Sequence, residues 1–264
     1  MIEQIAERVA ASRRYRYVDG ELVRRLAREE ASRAGNLDEA VKRVKRRLHQ
    51  AVGAFEGRRR ALHEVRAAYD GSLDASTFRD ACRAAMAAHA STAERAGDLE
   101  ALGALVAATN ARSVVDLGCG LGPLALPWYG LDRSVHVTAI DVDRRALAMV
   151  GEFLELIGQP HDIREQDLVA DPATPHADLA LLLKLVTTLD RQDPTAAERV
   201  VGALRTRTAI VSFPVRSLGR RRGLAEANRR RMEELLQALG GRVEEAREAS
   251  VSNELVYVLT LARG

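Results

Sequence analysis

At Ser113 the hydrophobic pattern of this chain changes period, and that change constrains the fold more than any other feature. Up to about residue 109 apolar residues recur every three or four positions, the spacing of an amphipathic helix, with no strand-like run between them. The spacing predicts helices over residues 2–16, 21–34, 37–55, 58–69 and 77–88, with a longer one after Ser91. Gly20, Gly35-Asn36, Gly57 and Asp70-Gly71 punctuate them. From Ser113 on, short β-branched or leucine-rich runs alternate with helical stretches. Residues 113–117, 135–141, 162–166, 177–183 and 208–213 read as strands, and 123–129, 144–157 and 195–204 as helices. A helix over 224–239 then leads into a closing pair of strands, 242–249 and 254–261. Such alternation argues for βαβ units and an α/β fold whose mainly parallel sheet is covered on both faces. The chain is expected to comprise a helical unit, residues 1–109, followed by a doubly wound α/β unit, residues 110–264.

At 264 residues, 47% hydrophobic and 29% charged, the chain has the length and balance for a full core, which excludes a disordered or fibrous class. Its most apolar stretch, residues 179–189, is shorter than a membrane span and carries Lys184 in its middle. The opening MIEQIAERVA has acids where a secretory signal would have a basic head. The two cysteines, Cys82 and Cys119, offer neither a disulfide framework nor a Cys-x-x-Cys pair, and the six histidines show no ligand spacing. A cytoplasmic protein with no metal and no membrane contact is expected.

Net charge is only +3, so distribution matters more than the total. Residues 42–60 hold Lys42, Arg43, Lys45, Arg46, Arg47, Arg58, Arg59 and Arg60 against Glu56. Residues 213–231 hold Arg216, Arg220, Arg221, Arg222, Arg229, Arg230 and Arg231 against Glu226. A solvated helix face accounts for either cluster alone, but two of them flanking one site are the footprint of a phosphate backbone and favour RNA. In 37–55 the apolar stripe Leu37, Val41, Val44, Leu48, Val52 and Phe55 leaves Lys42, Lys45, Arg46 and Arg47 facing outward.

The chemistry sits at strand ends. The first strand runs into Asp116-Leu117-Gly118-Cys119-Gly120-Leu121-Gly122, where glycines permit a tight turn and close approach to a ligand. The helix after Pro123 would aim free N–H groups at an anionic group. A bare Gly-x-Gly is weak, but Asp141 ends the next strand, placed to accept both hydroxyls of a ribose, and Asp167 ends the third, where Gln166-Asp167-Leu168 can meet an adenine edge. Each acid alone could cap a helix, Asp141 in particular. Three at successive strand ends point to a nucleoside cofactor.

The glycine loop and these acids resemble motifs I to III of class I S-adenosylmethionine (SAM)-dependent methyltransferases. Further segments narrow the resemblance: His89-Ala90-Ser91-Thr92-Ala93-Glu94-Arg95, Gly120-Leu121-Gly122-Pro123-Leu124-Ala125-Leu126, Leu183-Lys184-Leu185, Ser212-Phe213-Pro214-Val215-Arg216-Ser217-Leu218-Gly219, Glu226-Ala227-Asn228 and Asn253-Glu254-Leu255-Val256-Tyr257. Together with Ser12-Arg13-Arg14-Tyr15-Arg16 near the start, they are similar to the aminoglycoside-resistance 16S rRNA (guanine(1405)-N7)-methyltransferases across nearly the whole chain. The resemblance implies a Rossmann-like methyltransferase unit behind a helical unit that docks, as a monomer, on the 30S ribosomal subunit. It implies that Arg95 binds the methionyl carboxylate of SAM, that Phe55 closes over the cofactor, and that Leu183 packs on the adenine. Asp116, Gly118, Gly120, Asp141, Val142, Asp167 and Leu168 complete the implied cofactor site. Arg13, Arg14, Lys42, Lys45, Arg46, Arg47, Arg58 and Arg59 would contact rRNA from the helical unit, and Arg216, Arg220, Arg221 and Arg222 would border the target nucleotide.

This chain departs from the family pattern at Gly122, where Asn is usual, and at Val186-Thr187, where Leu-Pro is usual. It also has Leu224-Ala225 in place of Gly-Met and Arg229 in place of Tyr. These departures keep alternatives open: methylation of another rRNA atom such as adenine N1, a small-molecule methyltransferase, or a SAM- and rRNA-binding homologue with weakened catalysis.

For guanine N7 no general base is expected, because that nitrogen presents an in-plane lone pair and no proton. No Asn/Asp-Pro-Pro-Tyr/Phe segment of the exocyclic-amine enzymes is present, and neither cysteine is placed as a nucleophile. Lys184 is the residue expected to act on the base, by orienting it. A lysine satisfying carbonyls at a strand end is the alternative reading of that position. His89 and Thr92 are expected to hold a joint between the two units, with Ser91 or Thr92 capping the helix that follows; Trp128 and Tyr129 are expected to anchor the core.

Overall fold

A computed structural model describes residues 1–52, 58–88, 92–93, 95–215, 224–251 and 254–262, with the backbone alone at 58–60 and 250. Five helices open the chain: α1 (Ile2–Ala10), α2 (Gly20–Ala31), α3 (Leu37–Ala51), α4 (Arg58–Ala68) and α5 (Ser76–Ala87). Caps set their starts: the Asp19 carboxylate accepts from Leu22 N and Asn36 Oδ1 from Glu39 N, each satisfying an orphan amide of the first turn. The first helix ends six residues earlier than its periodicity predicts. Ser12 Oγ donates to Val9 O, and successive turns at Tyr15 and Val18 fold those two side chains into the core. The single long helix expected after Ser91 is instead a 3-10 turn, Arg95–Gly97, followed by α6 (Leu99–Ala107), the break falling at Gly97-Asp98.

Beyond it come β1 (Ser113–Leu117), the short α7 (Leu126–Tyr129), β2 (His136–Asp141), α8 (Arg144–Leu156), β3 (His161–Glu165) and β4 (Leu179–Leu183). Then follow α9 (Leu185–Asp190), α10 (Ala196–Gly202), β5 (Thr208–Pro214), α11 (Leu224–Leu239), β6 (Val243–Val251) and β7 (Glu254–Leu261). The sheet order is β3-β2-β1-β4-β5-β7-β6. The first five are parallel; β7 runs antiparallel between β5 and β6. This is the expected α/β architecture, with the order reversing between β1 and β4, where ligands of open α/β sheets bind at the carboxyl ends of the strands. Helix α9 was not foreseen, because it is short and rich in the β-branched residues Val186, Thr187 and Thr188, which carry little helical signal.

Three apolar clusters hold the chain. Leu22, Leu26, Val44 and Leu48 centre one formed almost wholly by α1–α3. Helices α4–α6 do not share it: Val65, Phe78, Met86, Leu99 and Leu102 pack with Phe153, Leu124 and Val150 on one face of the sheet. The other face is closed by α9, α10 and α11 through Val186, Val200, Met232 and Leu235. Trp128 and Tyr129 are buried, as expected of core anchors. Among the described residues no helix is long and apolar enough to cross a membrane.

Candidate functional site

The carboxyl ends of β1 to β5 bring the predicted residues together. Gly118 and Gly120 both adopt positive φ, +60° and +53°, so the chain folds back on itself directly after β1. A Cβ at Gly118 would lie 2.7 Å from Leu185 Cδ1. The loop is tied to the next strand: Gly120 N donates to Asp141 Oδ2 at 2.8 Å, and Cys119 N to Ile140 O at 3.0 Å. Asp141 Oδ1 accepts from Val142 N and Asp143 N, so its carboxylate is oriented by three amides, while Asp143 caps α8. Removal from water pushes the Asp141 carboxyl up and those amides pull it back.

Beneath the loop lies a buried polar cluster. Asp116 is 3% exposed and its Oδ2 has no hydrogen-bond partner among the described residues; burial pushes its carboxyl up to about 7, against the pull of Arg95 and with a smaller push from Asp141. Arg95 is equally buried, spends Nε on Glu254 Oε1 at 3.2 Å, and has no partner for Nη2 among the described residues. An orphan cationic donor and an orphan acidic acceptor, both buried, match the carboxylate and ammonium of an amino acid. With the glycine turn and Asp141 beside them, these residues fit the methionyl and ribose parts of SAM.

Glu254 was not singled out for a role from the sequence. It is 3% exposed and accepts from Arg95 and from Ser212 Oγ, whose oxygens in turn accept from Lys184 N at 3.0 and 3.1 Å. It stands in one of the segments that carry the family resemblance and as an acid opening an otherwise apolar strand, neither of which names its partners. Lys184 follows β4 at φ +60°, a conformation rare outside glycine, and starts α9. Leu183 and Leu168 are buried at the ends of β4 and after β3. Thr92, expected at the joint, sends Oγ1 to Met86 O at the end of α5.

Gly122 has a local reason. A Cβ there would lie 2.6 Å from Asp116 Oδ2, so a side chain could enter only if Asp116 moved.

One expectation is corrected. Arg47 does not face outward with its neighbours: its side chain is 17% exposed and pairs with Glu29, with Glu30 at 3.2 Å and with Gln192 O at 3.1 Å. It lies on the flank of the stripe, where α2 presents two acids. Val142 lies at the ribose end but packs its side chain on the α1–α3 core, and its carbonyl accepts from Asp19 N. Asp167 is where expected, yet both of its oxygens already accept from Arg25 of α2, a partner not foreseen. Lys42 and Arg46 are exposed, Lys45 partly so, and Arg13 and Arg14 are exposed on the turn beside them, Arg14 within 2.8 Å of His49. Phe55, Arg216, Arg220, Arg221, Arg222, His89 and Ser91 lie outside the described residues, as do the side chains of Arg58 and Arg59.

The chain is 38% identical to the 16S rRNA (guanine(1405)-N(7))-methyltransferase of Frankia casuarinae, over 98% of this chain and 93% of that protein. To the enzyme of the same name from Micromonospora olivasterospora it is 37% identical, over 96% and 86%. Among solved structures, the 16S rRNA methyltransferase RmtF in complex with S-adenosyl-L-homocysteine superposes with a TM-score of 0.82 at 29% identity, covering 99% of this chain and 98% of that one. The 16S rRNA methylase RmtB gives 0.81 at 26% identity, covering 99% of each chain. The sequence profile of the ribosomal RNA methyltransferase (FmrO) family matches residues 11–258, and the chain belongs to that family.

Proposed function

We propose that this protein transfers the methyl group of SAM to N7 of guanine 1405 of 16S rRNA, in the cytoplasm, acting as a monomer on the assembled small subunit and conferring resistance to aminoglycosides. The observation that carries the reading is the buried orphan pair, Arg95 Nη2 and Asp116 Oδ2, beside the Asp141-braced glycine turn.

When bound, SAM supplies an electrophilic methyl on a sulfonium; the N7 lone pair forms the new bond as the methyl–sulfur bond breaks. The protein's work is positional. Arg95 takes the carboxylate, with Glu254 holding its guanidinium; Asp116 takes the ammonium and Asp141 the ribose hydroxyls. Gly118, Gly120, Leu168 and Leu183 shape the remaining walls. No residue needs to remove a proton. Lys184, fixed by Ser212 at the end of β4, orients guanine through O6 and favours the base over solvent. Helices α1–α3 act as the docking part, while α4–α6 and the turn carrying Arg95 join residues 110–264 in the catalytic part. The docking face comprises Arg13, Arg14, Lys42, Lys45 and Arg46, while Arg47 belongs to the seam between helices and sheet.

Methylation of unmodified 30S subunits and of naked 16S rRNA with labelled SAM, followed by borohydride–aniline cleavage, tests the reading. A single cut at the decoding-site guanine, obtained with subunits alone, is expected. Label without that cut would point to another atom, such as adenine N1. No label, despite measured cofactor and subunit binding, would mean a lapsed enzyme.

A further inference from the structure

A two-point ion pair between the helical region and the cofactor end of the sheet joins residues 142 positions apart. Arg25, 13% exposed on α2, donates from Nε to Asp167 Oδ2 at 2.6 Å and from Nη2 to Asp167 Oδ1 at 3.3 Å. The same Nη2 reaches Gln192 Oε1 at 2.6 Å and Nη1 reaches Glu29 Oε1 at 3.1 Å. The guanidinium is therefore held on three sides, and its plane is fixed. Asp167 is itself 4% exposed. Its Oδ1 also accepts from Val169 N at 3.1 Å, while Arg25 is the one hydrogen-bond partner its Oδ2 has among the described residues.

We propose that Arg25 is a positioning residue for adenine recognition: it clamps the Asp167 carboxylate so that the remaining lone pair of Oδ2 accepts from the exocyclic amine of the cofactor's adenine. The inference rests on the proposed SAM-dependent function and adds to it a specificity determinant contributed by the helical region. A carboxylate whose orientation is fixed by a bidentate arginine offers acceptors only, so it selects a base edge that donates. It rejects one presenting a carbonyl there, because the unpaired acceptors then face each other. The clamp also makes the adenine subsite a shared construction. Helix α2 supplies its brace, and Asp19 N, by donating to Val142 O at 2.8 Å, holds the neighbouring ribose loop from the same helix start.

Calorimetric titration of the whole protein with S-adenosylhomocysteine and with S-inosylhomocysteine, in which a carbonyl replaces the exocyclic amine, separates positioning from scaffolding. The wild-type protein is expected to prefer the adenine ligand by about ten- to a hundredfold, the range of a hydrogen bond to a charged group. Arg25→Met should bring that ratio close to one, and Arg25→Lys should restore part of it, since one donor of the fork survives. Mere structural damage would weaken both ligands equally and leave the ratio unchanged, which would overturn the proposal. If Arg25→Met fails to fold, Gln192→Met frees one side of the guanidinium and should lower the ratio severalfold; an unchanged ratio there also counts against the clamp. A wild-type ratio near one would discard the clamp while leaving cofactor use intact. Binding of neither ligand by the wild type would instead remove the functional reading itself.

Discussion

The helices before the sheet divide into two groups that are attached by different physics. Helices α4–α6 give their apolar faces to the sheet: Phe78 stacks on Phe153 at 6.2 Å between centroids and 7° between planes, and Val65, Met86 and Leu102 join the same core. Helices α1–α3 keep their apolar faces for one another and reach the sheet side through polar contacts, Arg25 to Asp167, Arg47 to Gln192, and Arg144 to Val18 O. Apolar burial is strong and non-directional, whereas a hydrogen-bonded seam is weaker and fixes orientation. The first group is thus part of the catalytic body, and the second is a separately cored element aligned on the cofactor loops.

Core truncation separates the two groups of helices most strongly. Phe78→Ala should cost about 3–5 kcal/mol and lower the unfolding midpoint of the sheet itself. Leu26→Ala should cost about 2–5 kcal/mol within α1–α3 and leave a later transition that retains the sheet. Denaturant unfolding followed by near- and far-ultraviolet dichroism distinguishes them; a single shared transition in both variants would erase the division. Arg47→Met comes next. It leaves the buried Glu30 and the half-buried Glu29 short of a partner, and should destabilise α1–α3 by about 2 kcal/mol, largely sparing the sheet transition.

On the sheet side, pH is the finer probe. Burial raises Asp116 from 3.8 to about 7, so the folded free protein binds a proton there that the unfolded chain releases at lower pH. The associated stability is present below the unfolded value and is lost as pH rises through about 7. Asp116→Asn should therefore melt higher than wild type at pH 8, with the difference vanishing towards pH 4. Affinity for S-adenosylhomocysteine should move the other way. The ammonium needs the carboxylate, so binding should weaken up to about tenfold per pH unit below about 7 in the wild type and stay flat in Asp116→Asn.

Much of this architecture was legible in the sequence. Strand β1, helix α11 and strand β7 fall where their periodicity places them, and Asp116, Asp141 and Asp167 mark the ends of successive strands. What was hidden depends on distant partners. Arg25 looks like a member of an ordinary surface pair, since Glu29 stands four residues after it, and Arg47 reads as one of an outward-facing basic cluster. Only the fold shows that both turn toward the sheet. Glu254 is legible as an acid before an apolar strand, but its hold on Arg95 spans 159 residues. Gly122 reads as a loss from the loop until Asp116 is seen filling the space a side chain would take.

The proposed division of labour between the exposed face of α3 and the buried cofactor site meets its sharpest test in one variant measured twice. Lys42→Glu, Lys45→Glu and Arg46→Glu together should shift stability by no more than about 0.5 kcal/mol per site, as surface changes do. In the same protein, S-adenosylhomocysteine affinity should equal that of the wild type, while binding to 30S subunits is lost and the residual salt dependence falls by about two to three in log–log slope. Subunit binding that survives the triple reversal, or cofactor affinity that falls with it, would contradict the separation of docking from catalysis.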